Sequence, residues 1–256
     1  MRPRGSGRGR LLALIALAVV AGTRPAAADD ADAASEAGSP WLDEHPVAPA
    51  HPTRGRPSLT SVGSVSTALV FLGGAAIAFV AHETGHLVTN LAYGNTPKLE
   101  VITTFGAVPF VAVAPRIRCT DAGCTKHDGS QFSGGHPGKY NIVTAGYDVQ
   151  HLTTEVLLTL EPDLRWRRAP LRKGLFAFDI LLSVGYALSS MTGTESNFGD
   201  AGTAADTARL SRTTFAAVLL APAVLDVYRY LQPRSKWAPW ASRAAKGSMI
   251  GISFAL

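Results

Sequence analysis

Two histidines and a glutamate stand at the end of an apolar stretch that otherwise lacks charge. The stretch VAHETGHLVTNLAYG covers residues 80–94, and His82, Glu83 and His86 are its only ionisable groups apart from a tyrosine. On a helix, residues four positions apart lie on one face, so the two imidazoles can bind one metal ion. Zinc lowers the pKa of its bound water to about 7, and a neighbouring carboxylate can act as the general base. The spacing therefore predicts His82 and His86 as metal ligands and Glu83 as the catalytic residue.

The composition indicates a membrane protein. The chain has 256 residues, of which 46% are hydrophobic and 17% charged, whereas about 25% of an ordinary soluble domain is charged. Its net charge of +5 does not indicate nucleic acid, because the basic residues cluster between apolar segments. The segments 165–173 and 229–246 have the composition of cytoplasmic loops under the positive-inside rule.

The first 62 residues have the composition of a targeting sequence followed by a linker. Residues 1–28 begin with four arginines, which precede an apolar core and an alanine-rich end, and this layout predicts a signal peptide or N-terminal anchor. Residues 29–62 are acidic and rich in alanine and proline, which predicts a disordered exported linker. We expect residues 63–256 to form a helical membrane domain in a bacterial-type inner (plasma) membrane, with the lipid bilayer as a partner.

The apolar pattern predicts a mainly α, multi-spanning helical membrane protein with a small β-hairpin element after the first core helix. The predicted helices are 65–93, 141–160, 174–191 and 213–231, and a hairpin turn is predicted at 120–123. The last ten residues are predicted to form an interfacial or packed segment.

The basic segments predict an orientation for these helices. If the first helix enters from outside, His82 and His86 lie near its cytoplasmic end. Both basic loops then stay inside only if 141–160 is re-entrant and does not cross.

The two cysteines point to the opposite compartment. Cys119 and Cys124 bracket the predicted hairpin turn, where a cross-strand disulfide is sterically reasonable but requires an oxidising compartment. The predicted orientation places this hairpin in the cytoplasm. The two predictions conflict, and the charge rule favours the reduced form.

The segment HETGHLVTNLAYG resembles the first motif of the site-2 protease family of intramembrane zinc metalloproteases. Gly85 and Gly94 fit that motif. The resemblance implies zinc, hydrolysis of a membrane-protein substrate within the bilayer, a catalytic Glu83, and His82 and His86 as ligands.

The resemblance also implies an aspartate as the third ligand, from a later helix. In LLAPAVLDVYR, Pro222, Leu225 and Asp226 match the family's later motif in order. The motif's asparagine is absent, and Val227 replaces its glycine. This partial match predicts Asp226 as the third metal ligand.

A polar stripe on helix 141–160 offers alternatives for both the ligand and the function. Asp148, His151 and Glu155 share one face, so His151 is an alternative third ligand. Two carboxylate-x-x-histidine pairs, at 83–86 and 148–151, also approximate a di-iron site, which would make the chain an iron-dependent membrane oxidoreductase. A further alternative is a non-enzymatic membrane protein with a structural polar cluster. The polar segment 193–206, which contains Asp200 and Asp206, is expected to be an exported loop with solvated turn residues, and cation binding there is the alternative.

Overall fold

The computed structural model describes residues 65–104, 108–194 and 200–256. The predicted targeting segment 1–28 and the predicted linker 29–62 lie outside the described residues.

The described chain is mainly helical, as the sequence predicts. Its six α-helices are α1 (Val65–Ala92), α2 (Gly135–Leu160), α3 (Pro170–Thr192), α4 (Asp200–Thr207), α5 (Arg212–Leu231) and α6 (Ala238–Ala255). Its four strands are β1 (Lys98–Thr104), β2 (Val108–Ala114), β3 (Arg118–Thr120) and β4 (Gly123–Thr125). The strands form two antiparallel hairpins between α1 and α2, which confirms the predicted β-hairpin element.

Three of these helices, α1, α3 and α5, are long and apolar enough to cross a membrane. On α1 the exposed side chains are large and apolar, among them Leu69, Leu72 and Val80. Its buried face carries small residues followed by His82 and His86. An outward apolar face with polar groups turned inward is the pattern expected of a helix in contact with lipid.

Helices α1 and α3 lie close together because each presents a glycine to the other. A Cβ on Gly74 would meet the backbone carbonyl of Leu171, and a Cβ on Gly174 would meet that of Phe71. Small residues at such contacts let backbones approach closely, which is how helices associate without a hydrophobic driving force in lipid. The contact lies in the first half of both helices, so α1 and α3 start at the same end of the bundle.

Helix α2 runs the length of the bundle antiparallel to α1 and α3. It is not among the three helices that are long and apolar enough to cross a membrane, so the prediction that this segment does not cross stays a prediction. Near its start, Asn141 donates a hydrogen bond to Tyr93, just after the end of α1. Near its end, Leu157 and Leu158 pack in a cluster with Leu175 at the start of α3. Most of its polar side chains are buried between helices.

The chain thus has two distinct ends. At the hairpin end lie both hairpins, the start of α2, helix α4 and the start of α5. At the basic end lie the start of α1 and the connections α2–α3 and α5–α6, which carry most of the two basic segments. All described helices except the short α4 run between these two ends.

The second hairpin is closed by a disulfide. Cys119 of β3 lies opposite Cys124 of β4, and the two cysteines are bonded. Cys124 packs with Phe132 and with Ile142 of α2, which holds this hairpin against the bundle. The structure therefore has the disulfide that the predicted orientation disfavoured.

Two segments predicted as loops are helical. Asp200 begins helix α4, whose Ala201, Ala204 and Ala205 are completely buried. The second basic segment contains only a short connection, because α6 starts at Ala238 and continues to the C-terminal end. Helix α4 packs through small buried residues, and α6 buries Ala238, Ser242, Lys246 and Met249 on one face.

Candidate metal centre

The structure brings His82, His86 and Asp200 together in a compact triangle. The two Nε2 atoms lie 3.1 Å apart. Oδ2 of Asp200 lies 3.2 Å from Nε2 of His86 and 3.5 Å from Nε2 of His82. Tetrahedral zinc with bonds of about 2.0–2.1 Å places its ligands about 3.3 Å apart. The three atoms therefore have the spacing of three corners of a zinc tetrahedron.

The position of the His82 ring depends on a glycine of the facing helix. A Cβ on Gly146 of α2 would lie 2.5 Å from Nε2 and 2.6 Å from Nδ1 of His82. The ring packs edge-on against Tyr147, with centroids 5.5 Å apart. A Cβ on Gly85 would lie 2.6 Å from the carbonyl oxygen of Ala145, so the second glycine brings the two helices together at this height.

A backbone carbonyl fixes the tautomer of His86. Its Nδ1 lies 2.8 Å from the carbonyl oxygen of Ile142, and a carbonyl can only accept, so Nδ1 carries the proton. Nε2 then presents its lone pair to the centre of the triangle. Metal-binding histidines usually have such a partner on the second nitrogen. Nδ1 of His82, by contrast, is buried without a hydrogen-bond partner among the residues that the structure describes.

Asp200 reaches the histidines from the first turn of α4. The partial positive charge of a helix N-terminus favours an anion there. Burial disfavours ionisation of the carboxyl, but the imidazoles of His86 and His82 outweigh it and hold the pKa of Asp200 below its usual range. The side chain is 20% exposed, whereas His82 is fully buried. Asp200 thus places an anionic oxygen at the open side of the triangle and is a candidate metal ligand.

Glu83 is held beside this triangle by the first hairpin. Its Oε2 accepts a hydrogen bond of 2.8 Å from the backbone N–H of Val113 in β2. Oε1 makes no hydrogen bond to any residue in the described ranges. The charges of His82, His86 and Asp200 all act on this carboxyl. Glu83 therefore has one oxygen anchored and one available to a water molecule.

A cavity of about 710 Å³ borders the centre. Its lining includes Val113 of β2 and Asp200 and Thr203 of α4. It thus extends from the strand that anchors Glu83 to the exposed side of the metal ligands, on the hairpin end of the bundle.

Asp226, predicted as the third ligand, lies in a different cluster. Its Oδ2 is 2.9 Å from Nζ of Lys246 and accepts a 2.6 Å hydrogen bond from Thr154. Its Oδ1 accepts a 2.6 Å hydrogen bond from Ser242. These partners come from α2 and α6 toward the basic end, and they occupy both oxygens. The structure therefore does not bring Asp226 to the two histidines.

The polar stripe of α2 does not supply a ligand either. His151 lies within electrostatic range of Lys246 and Asp226, and Glu155 binds Arg229 at 2.5 Å. Both belong to the cluster toward the basic end. Within the described ranges, the group that contains His82 and His86 has Asp200 as its third member.

A second group of metal-ligand types consists of Cys119, Cys124 and His136. Its two sulfurs are bonded to each other, so they are not available as thiolates. This group is a disulfide with a neighbouring histidine.

Sequence reasoning missed Asp200 as a ligand. Its separation of more than a hundred residues from the histidines is bridged only by the fold. The available signal was an isolated acidic residue just before an alanine-rich segment, AGTAAD, in a chain short of charge.

Comparison with models of known protein families, with curated proteins and with solved structures finds no match for this chain.

Proposed function

We propose that this chain is a membrane-embedded zinc peptidase that hydrolyses a peptide bond of a membrane-associated protein. The observation that carries the proposal is the triangle of His82, His86 and Asp200, with Glu83 beside it. The resemblance of the HETGH segment to the site-2 proteases agrees with this function. In our proposal Asp200 takes the place that the motif resemblance gave to Asp226.

The donor set fits zinc. Two imidazole nitrogens and one carboxylate oxygen leave a fourth tetrahedral position, as in catalytic zinc sites. The exposed side of Asp200 and the cavity give that position access to water and to substrate. A zinc ion at this position supplies a Lewis acid that polarises a peptide carbonyl and lowers the pKa of water to about 7.

Glu83 performs the proton transfers of the proposed reaction. Its available oxygen accepts a proton from the attacking water as the new carbon–oxygen bond forms. The same carboxyl then donates that proton to the amide nitrogen as the carbon–nitrogen bond breaks. The N–H of Val113 keeps the carboxyl oriented during both steps. The reaction consumes one water and leaves one new carboxyl group and one new amino group.

The geometry gives less support to a di-iron oxidoreductase. A di-iron site in a helical bundle needs a second carboxylate–histidine pair and further carboxylates at the same place. The pair formed by Asp148 and His151 does not join the group of His82 and His86 in the described residues, and His151 lies in the Asp226 cluster.

The replacement of Glu83 by glutamine tests the proposed role of this residue. We expect Glu83→Gln to retain zinc but to lose hydrolysis by a factor of at least about 10², because glutamine keeps an oxygen for the Val113 N–H but cannot accept a proton. The assay is cleavage of fluorescein-labelled casein by the detergent-purified protein, with zinc measured in the same samples.

The matched control is Glu161→Gln, because Glu161 pairs with Arg172 at the basic end, away from the candidate metal centre and the cavity. It should cleave like the wild type. Full activity of Glu83→Gln would contradict the proposed mechanism.

A further inference from the structure

We infer that the metal centre opens to the exported, oxidising side of the membrane, and that its substrate is a peptide segment presented from that side. The substrate part of this inference rests on the proposed function. The orientation part does not, because it follows from three features of the described helices and hairpins.

The first feature is the disulfide. Cys119 and Cys124 are bonded in the second hairpin, which packs against Ile142 near the start of α2. The carbonyl of Ile142 is also the partner of His86, so the disulfide and the metal centre share one end of the bundle. Disulfides persist in oxidising compartments and are rare in the cytosol. The hairpin end therefore belongs on the exported side.

The second feature is the distribution of basic residues. Residues 165–173 run from the α2–α3 connection into the first turn of α3 and contain five arginines and lysines. The six-residue connection 232–237 contains two more. Both segments lie at the basic end. Short loops dense in lysine and arginine stay in the cytoplasm.

The hairpin end also carries basic residues, but these are distributed differently. They are spread singly over the connection between α1 and α2, the second turn of α2 and the start of α5: Lys98, Arg116, Arg118, Lys126, Lys139, Arg209 and Arg212. Four of them (Arg116, Arg118, Lys126 and Lys139) line the cavity beside the candidate metal centre. Arg209 and Arg212 pair with Asp121 and Asp206. The dense basic loops and the disulfide thus indicate the same orientation.

The third feature is the depth of the centre. At a rise of about 1.5 Å per residue, His86 lies about 9 Å and His82 about 15 Å along the axis from the end of α1 at Ala92. The other end of α1, at Val65, is about 25 Å from His82. The cavity also opens on the hairpin side, so a peptide reaches the centre from that end.

This orientation differs from the one predicted from the sequence. There, an exported 29–62 segment placed the histidines near the cytoplasm and required a re-entrant helix. Because α2 runs the whole length of the bundle, both dense basic loops share an end with the start of α1. The start of α1 lies at the basic end. If that end is cytoplasmic, the preceding segment 29–62 is not exported.

The two ends of α5 allow a direct test. Thr213 at the hairpin end and Gln232 at the basic end are both exposed, and neither changes the charge of its end when replaced. We would prepare Thr213→Cys and Gln232→Cys in the full-length chain and treat intact spheroplasts of a bacterial host with a membrane-impermeant maleimide. Permeabilised cells and the wild type, whose own cysteines are bonded, serve as controls.

We expect Thr213→Cys to be labelled in intact spheroplasts and Gln232→Cys only after permeabilisation. The wild-type pair should react only after treatment with an impermeant reductant. Labelling of Gln232→Cys alone in intact spheroplasts, or of neither variant, would overturn the inference.

Zinc content measured on the same preparations separates this result from the proposed function. Thr213 labelling without zinc would keep the orientation and remove the peptidase. Zinc with Gln232 labelling would keep the metal centre and place it on the cytoplasmic side.

Discussion

The candidate metal centre depends on the lack of a side chain at Gly146. Gly146 leaves the space that the His82 ring occupies, and the ring is fully buried. An added methyl group there has nowhere to go, because the backbone of α2 lies against α1 at Gly85. The ring must therefore rotate or the helices must separate.

Replacement of Gly146 by alanine tests this dependence. We expect Gly146→Ala to weaken zinc binding on the order of tenfold or more, as changes behind a metal ligand do. The measurement is zinc affinity by competition with a chelating dye in detergent.

The matched control is Gly73→Ala in α1, where an added Cβ meets nothing within 4 Å. It should bind zinc like the wild type and be equally or slightly more stable, because alanine favours the helix. Equal zinc affinity of the Gly146→Ala and Gly73→Ala proteins would show that the ring is not held as described.

At the scale of single residues, the sequence predicted the candidate site residues that are neighbours along the chain. His82, Glu83 and His86 are neighbours on one helical face, so their spacing alone indicates a shared site. Asp200 is brought to them by the packing of α4 against α2, which no local pattern reports. Asp226 matched a motif, but the fold gives its two oxygens to Lys246, Thr154 and Ser242.

At the scale of elements, a buried ion network joins α2, α5 and α6. Lys246 of α6 lies 2.9 Å from Asp226 of α5 and 3.2 Å from Glu155 of α2. Arg229 of α5 bonds Glu155 as well. Oppositely charged side chains of three helices thus form ion pairs in a region from which water is largely excluded. Removing one partner from a buried pair leaves the other charge uncompensated.

We expect Lys246→Met to destabilise the protein by roughly 3 kcal/mol, because Asp226 remains buried and loses its nearest cation. The double variant Asp226→Asn/Lys246→Met should recover part of this loss, since it removes both charges. Denaturation of the detergent-solubilised proteins by SDS measures the difference in the free energy of unfolding.

Zinc content should be unchanged in both Lys246→Met and the double variant, because the network lies apart from the metal centre. Loss of zinc in the folded Lys246→Met protein would show that the two clusters are not independent.

Among the elements, the long apolar helices were predictable and the small-residue helices were not. The apolar runs of α1, α3 and α5 located these helices to within a few residues. Helix α4 is only eight residues long, and α6 starts within a basic segment that the charge rule assigns to a loop, so both segments were predicted as loops. For α2, the positive-inside rule led to a re-entrant prediction, whereas the helix runs the length of the bundle with its polar residues between helices.

At the scale of the whole molecule, the two ends of the bundle contain different features. The hairpin end holds the metal centre, the cavity and the disulfide, and the basic end holds the ion network and the cationic loops. Three helices long and apolar enough to span a membrane connect them. The two aspartates therefore have different surroundings. Asp200 contacts the two imidazoles at the hairpin end, and Asp226 contacts Lys246 toward the basic end.

The most direct test of the metal centre is the metal content of the purified full-length chain, measured for the wild type, Asp200→Asn and Asp226→Asn. Each protein is taken as the monodisperse peak from size exclusion, so that only folded material is compared. We expect about one zinc per chain in the wild type and in Asp226→Asn, and background levels in Asp200→Asn. The account would be contradicted if Asp226→Asn lost zinc while Asp200→Asn kept it, or if the folded wild type contained no metal.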